Sequence, residues 1–254
     1  MDIPIFAIFN SLRKYINWKE VMRLPKWINS LRCPIKVVVY GESGVGKTQF
    51  VKTITESHEY VKIRTRDISR GHMLCLSNGR RVEFIDTPGQ SSYKQKRNEL
   101  KSLFKSGNIQ GVVNLVAYGY LSKPETRESD VFKVGTNDVK AKFLRDNQES
   151  ELEQAKELIQ LIAGSKNVKW ILHVINKADL WYGKEQEVTE YYELHEYRNN
   201  VIDPLSVNRK WKLLPFCSMM TTFVKRSLPH AIDEETKDNL HKTLMNELEE
   251  LALS

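Results

Sequence analysis

Apolar residues recur at helical spacing near the start of the chain, at Ile5, Ile8, Phe9, Leu12, Tyr15 and Ile16, with Pro4 suited to a first turn. This pattern predicts an amphipathic helix over 5–16. Asn17 and Pro25 punctuate the next stretch, so residues 1–34 read as two short basic amphipathic pieces. At Ile35 the period changes. Ile35-Lys36-Val37-Val38-Val39-Tyr40 is a short β-branched run of the kind that forms a buried parallel strand. Residues 41–48 read as a loop and 49–55 as a helix. Two strand-like runs, 71–77 and 80–86, are joined by Asn78-Gly79, a strong hairpin signal. A helical pattern over 91–105 and an apolar strand over 111–118 come next.

Residues 119–147 are polar, mixed in charge and without period, which predicts a long loop, functional or partly disordered. Ser150 with Glu153 gives a capping-box signature for a helix with Leu152, Ala155, Ile159 and Ile162 on one face, ending near Gly164. Trp170–Ile175 is another buried-strand run, 185–199 an acidic, tyrosine-rich helix, and 213–217 a last strand. Leu240, Leu244, Leu248 and Leu251 form the stripe of a closing helix. Strands alternating with helices predict an α/β fold with a mostly parallel sheet.

Composition narrows the class. With 254 residues and 41% apolar content the chain can build one large domain or two small ones. No apolar run approaches the roughly 18–20 residues of a membrane span. The run at 3–9 follows Asp2 and lacks a small-residue cleavage site, so no signal peptide is expected. Cys33, Cys75 and Cys217 share no CxxC spacing, which fits a reducing, cytoplasmic setting. The six histidines share no metal-ligand spacing. The net charge of +7 is uneven: residues 1–34 hold six Lys/Arg against two acids, and 61–106 hold eleven against four. An anionic partner is therefore expected to approach the first 106 residues.

The chemistry begins at Gly41-Glu42-Ser43-Gly44-Val45-Gly46-Lys47-Thr48, which fits GxxxxGK[ST] between a strand and a helix. In such a loop the glycines let backbone N–H groups point inward at phosphate oxygens, and the following helix adds the positive end of its dipole. Lys47 would reach the β- and γ-phosphates, and the Thr48 hydroxyl would ligate Mg²⁺. Asp86-Thr87-Pro88-Gly89-Gln90 ends a strand in a DxxG turn, 45 residues after Gly41. A carboxylate there can hold a Mg²⁺-bound water, and Gly89 lets its N–H approach the γ-phosphate.

Asn176-Lys177-Ala178-Asp179 ends the Trp170–Ile175 strand. Guanine presents N1–H and an exocyclic amine, two donors that one Asp179 carboxylate accepts as a fork. Adenine has an unprotonated N1 and would leave that carboxylate unpaired, a loss on the order of 1.5–3 kcal/mol or more in a desolvated pocket. Asn176 would brace the loops and contact the base, with the Lys177 stem against its face.

These three motifs resemble those of a translation-factor-class, Ras-like P-loop GTPase, in that family's order and over roughly residues 35–252. The resemblance implies a six-stranded mostly parallel sheet with helices on both faces, the Asn78-Gly79 hairpin supplying the one antiparallel strand. It implies a G domain over 35–254 with an insertion at about 119–147, preceded by an N-terminal extension over 1–34. It further implies binding of GTP and GDP with Mg²⁺, and hydrolysis in which Gln90 orients the attacking water alongside Lys47 and Thr65. Thr65, 17 residues after Thr48, matches the switch threonine that completes the Mg²⁺ shell with Thr48 and Asp86, with Ser69 as the alternative. Cys217-Ser218-Met219-Met220 stands where the family often has Ser-Ala-Lys, so Ser218 and the Met219 backbone match the base-closing loop. Ser43 stands where Ras has glycine, and Arg64 and Arg66 flank Thr65.

The resemblance implies a molecular switch, slow in hydrolysis without an activator, that recruits a protein effector or activator at the basic surface 61–106. One alternative is an RNA- or ribosome-associated GTPase, although 61–106 lacks aromatic interleaving and no RNA-binding motif is visible. Another is a membrane-surface GTPase, held peripherally on anionic lipid by the basic amphipathic segment 1–34 with Phe6, Phe9, Trp18 and Trp27. An ATPase or kinase reading keeps the phosphate loop but leaves Asn176, Lys177 and Asp179 unexplained.

Overall fold

The computed structural model describes residues 33–55, 68–88, 94–106, 108–123, 125–218, 223–224, 226 and 232–253. The helix expected over 5–16, together with Thr65, Gly89, Gln90 and Met219, lies outside the described residues.

Among the described residues six strands form one sheet: β1 (Ile35–Tyr40), β2 (Ser69–Cys75), β3 (Arg81–Asp86), β4 (Ile109–Val116), β5 (Trp170–Ile175) and β6 (Lys210–Pro215). Their order is β2-β3-β1-β4-β5-β6, and every neighbouring pair is parallel except β2 with β3. The antiparallel pair is the Asn78-Gly79 hairpin, closed by Gly79 N–H on Leu76 O at 2.9 Å. All six residues of β5 are buried, as are five of the six in β1. Successive strand residues face opposite sides, so both faces of the sheet centre are covered.

The main helices are α1 (Lys47–Ile54), α2 (Lys94–Ser106), α3 (Ala141–Ile162), α4 (Glu185–Glu193) and α5 (Glu234–Leu253). Each turns an apolar stripe inward: Phe50, Val51 and Ile54 on α1, Leu100, Leu103 and Phe104 on α2, Leu244, Leu248 and Leu251 on α5. Among the described residues no helix is long and apolar enough to cross a membrane.

Four expectations need correction. α3 begins at Ala141, nine residues before the capping box, so Ser150 lies inside the helix. Phe143 and Leu144 pack on the core there, and tertiary contact outweighs the local cap signal. The preceding stretch is also ordered, with a short helix at Glu128–Val131 and a hairpin closed by the Phe132–Val139 bridge. The acidic helix stops at Glu193 and resumes as a short turn that widens into a π-helix at Arg198–Ile202. Pro204 has no N–H to give Asn200 four residues earlier, which removes one α-helical bond at this junction. The last strand begins at Lys210 rather than at 213.

The connectivity places a site. The chain runs from β1 to the β2–β3 side and then crosses to β4 on the other side, so β1 is where the strand order reverses. In open α/β sheets ligands bind outside the carboxyl ends of the strands at such a switch point. The loops after β1, β3, β5 and β6 all leave that edge.

Candidate functional site

The loop after β1 and the first turn of α1 make the floor. Gly46 precedes α1 with φ 97° and no side chain caps the helix, so its first N–H groups remain directed at the loop. A Cβ on Gly46 would lie 2.9 Å from the Asn176 amide, and one on Gly44 (φ +81°) would lie 2.7 Å from the Ser122 backbone. Neither position tolerates a side chain. Val45 is fully buried and Ser43 nearly so. Lys47 is 7% exposed and curls across the loop, its ammonium donating to Gly41 O at 2.8 Å and Glu42 O at 3.0 Å. That posture holds a cation against the carbonyl oxygens at the start of the loop.

Asp86 ends β3 beside Val39 of β1 and is fully buried. The Thr48 hydroxyl donates to Asp86 Oδ2 at 2.5 Å, so the hydroxyl and carboxylate expected at a Mg²⁺ site already adjoin. Both are hard oxygen donors of the kind Mg²⁺ prefers, and Mg²⁺ commonly takes only one or two protein oxygens, with phosphates and water completing the shell. Among the described residues no group of three or more His, Cys, Asp or Glu could hold a metal. Thr87 pins the strand end by donating to Val39 O at 2.7 Å.

The loops after β5 and β6 meet at Asn176, which is 1% exposed. Its amide donates to Val45 O at 2.9 Å, while its Oδ1 accepts from the Ser218 N–H at 3.0 Å and the Ser218 hydroxyl at 2.9 Å. One side chain therefore ties the phosphate loop to the loop after β6. Thr53 of α1 adds a bond to Ser218 O at 2.9 Å, and the Trp181 indole holds Asn176 O at 2.8 Å. Both Ser218 donors being committed to Asn176, Ser218 acts here as a brace.

Lys177 sits in the left-handed region with φ 60°. Its ammonium donates to Gly44 O at 2.8 Å and Tyr120 O at 2.6 Å, and lies 5.4 Å from the Phe223 ring centre. Burial pulls its pKa down to about 8, against the opposing pull of the Asp179 and Glu151 charges. Asp179 is 3% exposed, and Cys217 donates its thiol to Asp179 Oδ1 at 3.3 Å. Burial first, then the Asp179 charge, pushes the Cys217 thiol well up, so it remains a protonated donor.

The structure thus gathers Gly41, Ser43, Gly44, Val45, Gly46, Lys47, Thr48, Asp86, Asn176, Lys177, Asp179 and Ser218 at one sheet edge. Motif reading missed Tyr120, Ser122 and Thr53, and gave Cys217, at the head of the base-closing match, no role of its own. No local pattern marks them; only the strand-end position of 117–122 after β4 could have pointed to the first two.

The family model described as the 50S ribosome-binding GTPase matches residues 36–177, more than half of the chain. The chain belongs to this GTPase family. It is a P-loop GTPase with a small G domain, and GTP is the nucleotide that the family assigns to the site. No curated protein matches the chain. Among solved structures, a GTP-binding protein from the hyperthermophilic archaeon Sulfolobus solfataricus, in complex with GDP, is similar at a TM-score of 0.48 and 14% identity. That likeness covers 98% of this chain and 62% of the other, so the GTPase spans less than two thirds of that protein's length.

Proposed function

We propose that this GTPase is a Mg²⁺-dependent guanine-nucleotide switch whose site residues divide three tasks. The backbone of 41–46, with Lys47, holds the β- and γ-phosphates. Thr48 and Asp86, with Thr65, would hold Mg²⁺, which when bound would supply positive charge beside the phosphate oxygens. Asp179 accepts from the guanine edge, Lys177 covers the base, and Asn176 with Ser218 and Met219 closes the loop over it. Gln90 orients water, and Gly89 reports the γ-phosphate. The observation carrying this reading is Asn176: a side chain bonded at once to Val45 and Ser218 makes the phosphate loop and the base-reading loop one unit.

Hydrolysis without an activator is slow in this reading, and loss of the γ-phosphate relaxes the loops that a protein partner recognises. The test is a panel of GTP, GDP and ATP affinities with GTP turnover, with and without Mg²⁺, on the full chain. Micromolar or tighter GTP and GDP binding with ATP at least a hundredfold weaker supports the reading. Equal affinity for ATP refutes it. Gln90→Leu should abolish turnover and spare GTP binding; unchanged turnover removes Gln90 from the mechanism.

The family's description supports a second reading, in which the partner is the large ribosomal subunit and the basic stretch 61–106 meets its phosphates. Steep salt dependence of GTP-stimulated ribosome binding would favour it; its absence favours a protein effector.

A further inference from the structure

The turn leaving β4 is held by two helices whose side chains the nucleotide reading leaves unused. Six successive backbone N–H groups from 117 to 122 all have acceptors. Ala117 donates to Glu151 Oε1 at 2.7 Å, Tyr118 to the Tyr192 hydroxyl at 2.8 Å and Gly119 to Glu151 Oε2 at 3.3 Å. Tyr120 donates to Ala117 O at 2.9 Å, Leu121 to Gly119 O at 2.8 Å and Ser122 to Gly44 O at 3.2 Å. The Tyr192 hydroxyl itself donates to Glu151 Oε2 at 3.2 Å, and the Asn147 amide donates to Gly119 O at 3.0 Å. The near end of this turn is thus anchored on α3 and α4. Its far end grips the site, through Ser122 on Gly44 and through Tyr120 O on the Lys177 ammonium.

Glu151 is 2% exposed, in the middle of α3. A buried carboxylate is costly unless its oxygens are filled with donors. Here two backbone N–H groups and a tyrosine hydroxyl fill them. The buried neighbours of Glu151, Leu152 and Ala155, are apolar, and the buried Gln154 bonds the Tyr40 hydroxyl, so Glu151 is the buried carboxylate of α3 directed at the turn. The turn needs one. Its Gly119 lies so close to α3 that a Cβ would be 2.4 Å from Leu144 O, and Glu151 supplies the acceptors for the buried N–H groups of Ala117 and Gly119.

We propose that Glu151 is a positioning residue for nucleotide binding: it fixes the 117–119 turn so that Tyr120 and Ser122 hold Lys177 and Gly44 in place for the nucleotide. The inference rests on the proposed nucleotide site. Asn147 tethers the same turn from the partly exposed side of α3, so its removal loosens the turn without emptying the core.

The test measures release of a fluorescent GDP analogue from the full-length chain in Mg²⁺, with urea unfolding of the nucleotide-free protein alongside. Glu151→Gln takes away one acceptor, and Asn147→Ala takes away one donor. Each should speed release about tenfold, the size of one or two lost hydrogen bonds, while unfolding stays cooperative. In a Lys177→Ala background the Glu151→Gln effect should shrink to about threefold, because Tyr120 then has no ammonium to hold and only the Ser122–Gly44 bond still carries the turn's effect to the site. Release at the wild-type rate in Asn147→Ala and in any Glu151→Gln that folds overturns the proposal, and so does an undiminished Glu151→Gln effect without Lys177. Should Glu151→Gln not fold, Asn147→Ala carries the same cycle with Lys177→Ala. Failure of the wild-type chain to bind GDP at all would instead remove the nucleotide site itself.

Discussion

Replacing Asn176 by alanine separates a brace from a base contact. The side chain makes three hydrogen bonds, at 2.9, 3.0 and 2.9 Å, to Val45 O and to the N–H and hydroxyl of Ser218. Each is worth about 0.5–1.5 kcal/mol net, so the substitution removes about 2–4 kcal/mol that holds the phosphate loop against the loop after β6. The Ser218 hydroxyl can rotate to another acceptor, but its N–H cannot, and at 7% exposure it has little access to water. Part of the loss therefore falls on the nucleotide-free fold, at about 2 kcal/mol, measurable as a lower urea midpoint with unchanged slope. The remainder falls on binding, because the nucleotide must then order two loops that arrive unlinked. GTP and GDP affinities should drop together by about 3–30-fold, the equivalent of about 0.7–2 kcal/mol. The assay is isothermal titration with both nucleotides beside equilibrium unfolding. A drop in affinity with unaltered stability would mean that Asn176 works by touching the base alone, and the bracing argument would be wrong.

The core supplies two further expected outcomes. His173 is fully buried beside Asn114, and burial, with the Arg198 charge second, pulls its pKa down to about 3. A histidine depressed below its unfolded value contributes stability above pH 6.5 and loses it as pH falls towards 3, by about 1.4 kcal/mol per unit. Unfolding free energies of wild type and His173→Gln between pH 7 and pH 5 should differ in slope by about 0.7 proton on average; parallel slopes contradict this. Gly111 of β4 pairs with Trp170, and a Cβ there would sit 2.1 Å from the indole. Gly111→Ala should cost about 1–3 kcal/mol of stability as the ring is displaced, read as a thermal shift, and a wild-type melting temperature would show that the indole moves freely.

The parts of this molecule that sequence reveals are those where chemistry fixes residue type and spacing together. Glycine must stand where a side chain would strike Ser122 or Asn176, a carboxylate must end β3, and Asn176 and Asp179 must leave β5 within one turn. Those demands are local, so they survive as short motifs, and β5 is legible for a related reason: a strand buried on both faces admits little but apolar residues. Positions set by tertiary contact leave no such trace. Glu149, Glu151 and Glu153 are three acids in five residues, yet only Glu151 is buried, because only its side chain faces the 117–119 turn. The same contact explains why the Ser150 cap signal fails, since a helix that must present Leu144, Asn147 and Glu151 to one turn has to begin before residue 144. Motif and support therefore obey different rules within one site. In the proposed nucleotide site the motifs name the groups that would meet the nucleotide, while the backbone N–H groups of 117–122, satisfied by residues no motif contains, would hold Lys177 and Gly44 in place to meet it.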